Sequence, residues 1–219
     1  MKCSRRFLVL ASCLMPFVAA AAESPPLVVL LGDSIRMNYE NVVKDKLKGK
    51  AEVWSPKENC AHSAHTLVNL EKWLAGRKPQ VVHINVGLHD MYLDAKTGKT
   101  RHTLAIYDKN LRAIFAKLSR LTDTKIVFAL TTAVIEKRQA ESKGYKRVVR
   151  RNEDVDRFNS RAREIAKELG VAVNDLNAFM KQSGPEKLLR EDGIHLTPAG
   201  CETLGGKVAE MIRQQLSLQ

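Results

Sequence analysis

The sequence predicts an α/β fold in which a five-stranded parallel sheet is covered by helices on both faces. Short apolar runs of strand length alternate along the chain with segments whose apolar residues recur at helical spacing. Continuous apolar runs are typical of strands that are buried on both faces. The 219 residues suffice for one sizeable domain, and we expect a single domain over residues 23–219.

Five apolar runs predict the strands, in chain order Leu27–Leu31, Ala51–Trp54, Val81–Val86, Lys125–Leu130 and Val171–Val173. A helix from about Asn38 to Leu47 is expected after the first strand. Apolar residues at helical spacing predict two more helices, over 104–118 and 155–169. Thr197-Pro198 resembles an N-cap followed by proline at the first helical position, so the last helix should begin there. That helix also contains Gly205 and Gly206, although glycine has a low intrinsic propensity for helix.

Residues 1–22 have the layout of a secretory signal peptide. Three basic residues precede an apolar run from Phe7 to Val18, and Ala19–Ala22 is a small-residue tract that suits signal peptidase. We predict cleavage after Ala22 and a secreted or periplasmic protein. The apolar run is too short to cross a membrane, so no transmembrane segment is expected.

Within the predicted leader, the tetrapeptide Leu10-Ala11-Ser12-Cys13 also resembles the cleavage box of a bacterial lipoprotein. The apolar run before Cys13 would then hold only six residues, so lipid anchoring is the less favoured alternative. Cleavage after Ala22 leaves two cysteines, Cys60 and Cys201. Two separate thiols are favoured over a disulfide, because the sequence does not give the distance that a disulfide requires.

Basic residues outnumber acidic ones throughout the predicted mature chain. Without the three in the leader, 33 of the 36 Lys and Arg remain against 24 Asp and Glu, a formal net charge of +9. This balance favours anionic partners, and export makes nucleic acid the least favoured, so we expect no nucleic-acid partner. Two polar stretches, 94–103 and 135–151, contain ten of the basic residues: Lys96, Lys99, Arg101, Lys137, Arg138, Lys143, Lys146, Arg147, Arg150 and Arg151. A solvated loop surface and a site for an anionic or polyhydroxylated substrate both explain this clustering.

Two short motifs at opposite ends of the chain carry the candidate chemistry. Gly32-Asp33-Ser34 lies where the first strand breaks into a turn, and Asp192 precedes His195 by three residues. A serine hydroxyl is a poor nucleophile until a base removes its proton; imidazole suits that task, and a carboxylate fixes the imidazole tautomer. The motifs therefore predict a serine nucleophile, although a helix cap at Ser34 and an exposed His195 would give the same spacing.

Further candidate residues also follow predicted strands. Ser34, the turn Gly87-Leu88-His89-Asp90 and both polar stretches come directly after a strand. The carboxyl ends of parallel strands meet at one edge of a sheet, where open α/β sheets bind their ligands. We therefore expect the candidate chemistry and the longest loops to lie together.

In these motifs the chain resembles the SGNH hydrolases, also called GDSL esterases and lipases. Gly32-Asp33-Ser34 is similar to the nucleophile block of that family, and Asp192 to Thr197 is similar to its closing acid-and-base block. The resemblance implies a flavodoxin-like three-layer α/β/α sandwich and hydrolysis without a cofactor. It also implies that Ser34 is the nucleophile, His195 the general base and Asp192 the partner of that base.

The two middle blocks depart from the family pattern. Ala64 stands where the family has a glycine whose backbone N–H binds the oxyanion, and alanine keeps that N–H if the turn needs no positive φ. His89 stands where the family has an asparagine that also binds the oxyanion, and an imidazole N–H can donate the same bond. The expected oxyanion hole consists of the backbone N–H groups of Ser34 and Ala64 with the His89 ring.

Together these features predict a secreted serine esterase that acts on a carboxylic ester through an acyl-enzyme on Ser34. The sequence has no long apolar lid segment, which favours a short acyl group, with O-acetyl on carbohydrate preferred. Lysophospholipase and thioesterase activities are alternatives within the family. The substrate would be a small-molecule or glycan ester.

Two other classes of function stay open on sequence grounds. A catalytically weakened glycan-binding module on the same fold would explain the altered middle blocks. A zinc site could combine His62 and His65 with His89, Asp90 or His195. It is disfavoured because His62 and His65 are expected in a loop and no third ligand has a recognisable spacing, so we expect no metal.

Overall fold

The computed structural model describes residues 24–142 and 148–218. The predicted leader 1–22 with Cys13, and the basic residues Lys143, Lys146 and Arg147, lie outside the described residues. None of the helices in the described part of the chain combines the length and hydrophobicity that a membrane span requires.

The five predicted strands occur in the predicted order, and the structure adds two short strands and further helices. The strands are β1 Leu27–Leu31, β2 Glu52–Trp54, β3 Val81–Asn85, β4 Leu93–Asp94, β5 Lys125–Ala129, β6 Val148–Val149 and β7 Ala172–Asn174. The helices are α1 Ser34–Leu47, α2 Ser63–Leu74, α3 Leu104–Leu118, α4 Glu136–Glu141, α5 Asn152–Glu168, α6 Leu176–Ser183, α7 Pro185–Leu188 and α8 Pro198–Leu216.

The main sheet has five strands in the order β2-β1-β3-β5-β7, and all of its pairings are parallel. This strand order is that of the flavodoxin-like fold, in which the strand order reverses between β1 and β3. The predicted fold class is therefore confirmed. Ser34 follows β1 and the Gly87–Asp90 turn follows β3, so both lie at the point of reversal, where such sheets bind ligands.

Two hydrophobic cores cover the sheet, one on each face. In β1, Val28 and Leu30 belong to the core formed with α1, α6 and α8, whereas Val29 and Leu31 belong to the core formed with α2, α3 and α5. This assignment follows from the alternation of side chains along a strand. It also separates the cysteines: Cys60 lies in the second core and Cys201 packs against the first, and both thiols are free.

The structure differs from the predicted elements at several points. The first helix begins at Ser34 rather than near Asn38, because the Asp33 carboxylate accepts the Ile35 N–H at 2.9 Å and caps the helix. The two polar stretches are not simple loops: within them and beside them, β4 and β6 pair as an antiparallel two-stranded sheet. Strands of two residues carry no hydrophobic period, so the sequence cannot reveal them.

The packing of α8 on α1 explains one of the two helix glycines. A Cβ at Gly205 would lie 2.8 Å from Cβ of Val42 and 3.2 Å from the Tyr39 carbonyl oxygen. At Gly206 the nearest atom is the flexible Lys46 Cε at 3.6 Å. The close contact between the helices therefore requires a glycine at position 205, but it does not require one at position 206.

Alanine at these two positions should have opposite effects on stability. Gly205→Ala overpacks the α1–α8 contact and should lower the free energy of unfolding by about 1–3 kcal/mol. Gly206→Ala is the matched control and should be neutral or raise it by up to about 1 kcal/mol, since alanine favours a helix more than glycine does. Urea denaturation of both variants measures the difference. Equal effects of the two substitutions would contradict the packing argument.

Candidate active site

Ser34, His195 and Asp192 form a hydrogen-bonded row at the carboxyl edge of the sheet. The Ser34 Oγ lies 2.9 Å from Nε2 of His195, and Nδ1 of His195 lies 2.7 Å from Oδ2 of Asp192. About a quarter of the His195 and Asp192 side chains is exposed, so the row is accessible from solvent. The structure thus brings together the three residues that the two end motifs predict. Ser34 and His195, which are in contact, are 161 residues apart in the sequence.

Ser34 owes its position to the start of α1. It is the first helical residue, and its N–H belongs to the first turn, where no intrahelical acceptor is available. The preceding Asp33 is completely buried. Burial raises the pKa of Asp33 to about 6, against the lowering effects of the Ile35 N–H and of Arg150, His195 and Arg36.

Hydrogen bonds between the Asp192 carboxylate and backbone amides stabilise the turn that carries the acid and the base. Asp192 Oδ1 accepts the N–H groups of Ile194 and His195, each at 2.9 Å, so the spacing of three residues lets one carboxylate bind both the backbone and the ring. Burial acts to raise the pKa of Asp192, but the hydrogen bonds from the His195 ring and these amides outweigh it and lower the pKa. Asp192 is therefore ionised at neutral pH and accepts a hydrogen bond from Nδ1–H of His195.

A side chain of α1 fixes this turn beside Ser34. The Leu196 N–H donates to Oδ1 of Asn38 at 3.0 Å. Asn38 lies one helical turn after Ser34, on the same face of α1. Sequence reasoning missed Asn38; its spacing of four residues from Ser34 is the signal that could have revealed it.

The N-terminus of α2 is the second source of backbone donors. The Ser63 N–H binds Asp90, and the N–H groups of His65 and Thr66 bind the side chain and the carbonyl oxygen of His62. Within residues 24–142 and 148–218, no hydrogen bond of the Ala64 N–H is found. Ala64 does not have a positive φ, so an alanine fits the backbone at this position and keeps the N–H that the family glycine provides.

Two hydrogen bonds join the middle blocks to the nucleophile block. The Cys60 N–H donates to the Gly32 carbonyl oxygen at 3.1 Å, which ties the segment before α2 to the turn before Ser34. The buried Asp90 carboxylate accepts the Ser63 N–H at 2.9 Å and lies 2.6 Å from Nδ1 of His102. Asp90 therefore holds the start of α2 against the turn that carries His89.

His89 is a largely buried histidine beside this group of donors. Burial, with smaller contributions from the charges of Arg150, Arg101, His62 and His195, lowers its pKa to about 4. The ring is neutral at physiological pH and carries one N–H donor. Among the described residues, no hydrogen-bond partner of the His89 ring is found.

The remaining histidines have structural partners. His65 lies in the first turn of α2, so the expectation that both His62 and His65 occupy a loop is wrong for His65; the His62 Nδ1 caps this helix. The His62 and His102 rings pack edge to face, with centroids 4.9 Å apart. In the described ranges no group of three or more His, Cys, Asp or Glu side chains has the arrangement of a metal site.

Several basic side chains of the two polar stretches form hydrogen bonds or stacking contacts with other parts of the protein. Arg138 donates to the carbonyl oxygens of Leu189 at 2.6 Å and Glu186 at 3.0 Å, and Arg101 stacks on the Tyr92 ring at 4.1 Å. Arg150 is buried. A solvated loop surface therefore describes only part of this cluster.

The fold and the row define a class: a flavodoxin-like α/β protein with the serine, histidine and carboxylate arrangement found in serine hydrolases. The model of the GDSL-like Lipase/Acylhydrolase family matches residues 30–202. The chain belongs to this family, which confirms the resemblance seen in the sequence. Membership of the family supports an ester-hydrolysing enzyme.

Two relatives and two solved structures illustrate the similarity. The GDSL esterase/lipase CPRD49 of Arabidopsis thaliana is 28% identical over 145 residues, which are 64% of this chain and 57% of that protein, so the chain spans little more than half the length of that relative. The GDSL esterase/lipase At5g62930 of the same plant is 24% identical over 208 residues, 86% of either chain.

Among solved structures, the lipase/acylhydrolase from Enterococcus faecalis has a TM-score of 0.71 and 21% identity, and the match covers 87% of this chain and 96% of that one. Axe2, an acetylxylan esterase from Geobacillus stearothermophilus, has a TM-score of 0.66 and 17% identity, with 90% and 96% covered. Both share the fold with this chain.

The turn that carries His195 depends on Gly193, which has a φ of +69°. A Cβ there would lie 2.3 Å from the Ile135 carbonyl oxygen. Gly193→Ala should therefore displace His195 and Asp192 and lower kcat for p-nitrophenyl acetate by about 10²-fold. Gly184→Ala is the matched control, because Gly184 has a φ of +85° but no atom within 4 Å of the added Cβ. It should cost about 1–2 kcal/mol of stability and leave kcat unchanged; equal kcat values in the two variants would refute the role of the contact.

The buried Asp33 should make stability depend on pH. Its folded pKa of about 6 lies above the ordinary 3.8, so the folded protein binds this proton more tightly and loses stability as the pH rises between these values. Asp33→Asn keeps a capping oxygen without the charge. The free energy of unfolding of the variant relative to wild type should rise by up to about 3 kcal/mol between about pH 4 and pH 7. Urea denaturation across this range tests it, and a constant difference would contradict the assignment.

Proposed function

We propose that the protein is a secreted serine esterase that hydrolyses short-acyl carboxylic esters through an acyl-enzyme on Ser34. The observation that carries the proposal is the row formed by Ser34 Oγ, the His195 ring and the Asp192 carboxylate, with contacts of 2.9 and 2.7 Å. Membership of a lipase/acylhydrolase family supports the same chemistry.

In the first step the Ser34 Oγ attacks the ester carbonyl carbon while Nε2 of His195 accepts the hydroxyl proton. The ionised Asp192 accepts a hydrogen bond from Nδ1–H of His195, which leaves Nε2 as the unprotonated nitrogen that faces Ser34. The same carboxylate stabilises the imidazolium that forms. When the tetrahedral intermediate collapses, His195 returns the proton to the leaving alcohol. The acyl group then remains on Ser34.

The negative charge that develops on the carbonyl oxygen needs hydrogen-bond donors. The N–H groups of Ser34 and Ala64, each in the first turn of a helix, are two such donors, and helix N-termini favour negative charge. The neutral His89 ring offers a third N–H in place of the family asparagine. Removal of one such donor typically costs about 10²–10³-fold in rate.

Deacylation repeats the proton transfers with water as the nucleophile. His195 takes a proton from the water, the hydroxyl attacks the acyl carbon, and Ser34 recovers its proton as the carboxylic acid leaves. No bond change in this sequence requires a redox partner or a further co-reactant.

The proposed substrate is a small-molecule or glycan ester with a short acyl group, and O-acetyl on carbohydrate is the preferred class. The absence of a long apolar lid in the sequence supports a short acyl group. The carbohydrate is chosen in keeping with a neighbour of the same fold that is described as an acetylxylan esterase. The leader-like segment 1–22 supports secretion or export to the periplasm.

Hydrolysis of p-nitrophenyl acetate and butyrate tests the proposal. Wild type should hydrolyse acetate faster than butyrate, and Ser34→Ala should abolish turnover, because the variant lacks the hydroxyl on which the acyl intermediate is proposed to form. Ser119→Ala is the matched control: the hydroxyl of this exposed serine donates to the Ala116 carbonyl oxygen at the end of α3, so its loss should leave the rate unchanged.

A fluorophosphonate, which phosphonylates activated serines with loss of fluoride, gives a second measurement, since the mass increase should map to Ser34. Full activity in Ser34→Ala would refute the proposal. Absence of both turnover and labelling in wild type would favour the glycan-binding module instead.

A further inference from the structure

Arg150 is a buried cation at the end of β6, with 6% of its surface exposed. The buried Gln139 side chain binds its backbone on both sides: Oε1 accepts the Arg150 N–H, and Nε2 donates to the Arg150 carbonyl oxygen, each at 3.1 Å. The neighbouring Val149 pairs with Leu93 of β4. The backbone at Arg150 is therefore fixed from two directions.

The side chain of Arg150 is directed toward the turn that follows β3. Its Nε donates to the Leu88 carbonyl oxygen at 3.2 Å, and Leu88 directly precedes His89. A buried guanidinium is costly unless hydrogen bonds and opposite charge compensate it. The completely buried Asp33 supplies opposite charge, since Arg150 lowers the pKa that burial raises. Arg150 thus acts on both the nucleophile turn and the His89 turn.

Two arginine charges, those of Arg150 and Arg101, act on the His89 ring. After burial, which has the largest effect on its pKa, the charges that act on the ring are those of Arg150, Arg101, His62 and His195. Arg150 has the largest effect of these four. A fixed cation in a site with a low dielectric constant stabilises negative charge more strongly than it would in water.

We propose that Arg150 is a positioning residue of the oxyanion hole, which orients His89 through the Leu88 carbonyl oxygen and adds a fixed positive charge beside the oxyanion. This inference rests on the proposed esterase function. Histidine at position 89 offers one neutral N–H where the family has an amide. The buried guanidinium compensates for that exchange, and it is a residue of this chain that the four family blocks do not include.

Two variants of Arg150 separate its charge from its hydrogen bond. Arg150→Met removes both and keeps an unbranched side chain, whereas Arg150→Lys keeps the charge and loses the Nε bond. We expect kcat for p-nitrophenyl acetate to fall by about 10- to 100-fold in Arg150→Met, with KM changed by less than about threefold. The loss in Arg150→Lys should be smaller. A kcat within about twofold of wild type in Arg150→Met would overturn the proposal.

The pKa of the His89 ring, followed by NMR titration of the ring nitrogens, gives a readout that needs no turnover. It should rise in Arg150→Met, because a positive charge that lowers it is lost, and stay near the wild-type value in Arg150→Lys. If Arg150 only supports the fold, both variants lose Tm and kcat in parallel while the His89 pKa does not move; that result also overturns the proposal.

Two further controls keep the comparison decisive. If Arg150→Met does not fold, Arg150→Gln replaces it as the variant without charge, with the same expected results. If wild-type hydrolysis does not depend on Ser34, the proposed esterase function fails, and the NMR titration still reports whether Arg150 acts on His89.

Discussion

The close packing of α8 on α1 is the constraint on which the site depends. The absence of a side chain at Gly205 lets the two helices approach, with Val42 and Tyr39 directly opposite. Because α8 begins three residues after His195 and α1 begins at Ser34, this contact also determines how the two ends of the site meet. The bond from the Leu196 N–H to Asn38 then sets the turn against α1. Misplacement of either helix would separate the base from the nucleophile.

Burial determines the charge state of the groups around Ser34. Asp33 is completely buried and has a raised pKa. Asp192 is about a quarter exposed, is bound by two amides and the His195 ring, and has a lowered pKa. Two carboxylates within the same site therefore differ in proton affinity because their surroundings differ. Burial also keeps His89 neutral, so that its ring offers one N–H as a hydrogen-bond donor.

The fold was predictable because long apolar runs record burial on both faces of a parallel sheet. β1 has the predicted bounds, and β3 and β5 end one residue earlier than predicted, since a run of apolar residues does not mark the last hydrogen bond of a strand. The helix α2 and the pairing of β4 with β6 were not predicted. The start of α2 depends on Asp90, 27 residues away, and β4 and β6 are too short to show a period.

By itself the sequence determined the class of fold, the nucleophile turn and the acid-and-base turn, because each depends on local spacing: a strand that ends at Gly32, and a carboxylate three residues before an imidazole. Only the tertiary structure decided what surrounds them. The 2.9 Å distance between Ser34 and His195, which the family resemblance implied only as a role, and the approach of Arg150 to the His89 turn are contacts between residues far apart in sequence, and the burial of Asp33 also depends on such packing. Such contacts follow from how the helices and strands pack, and no local pattern of residues encodes them.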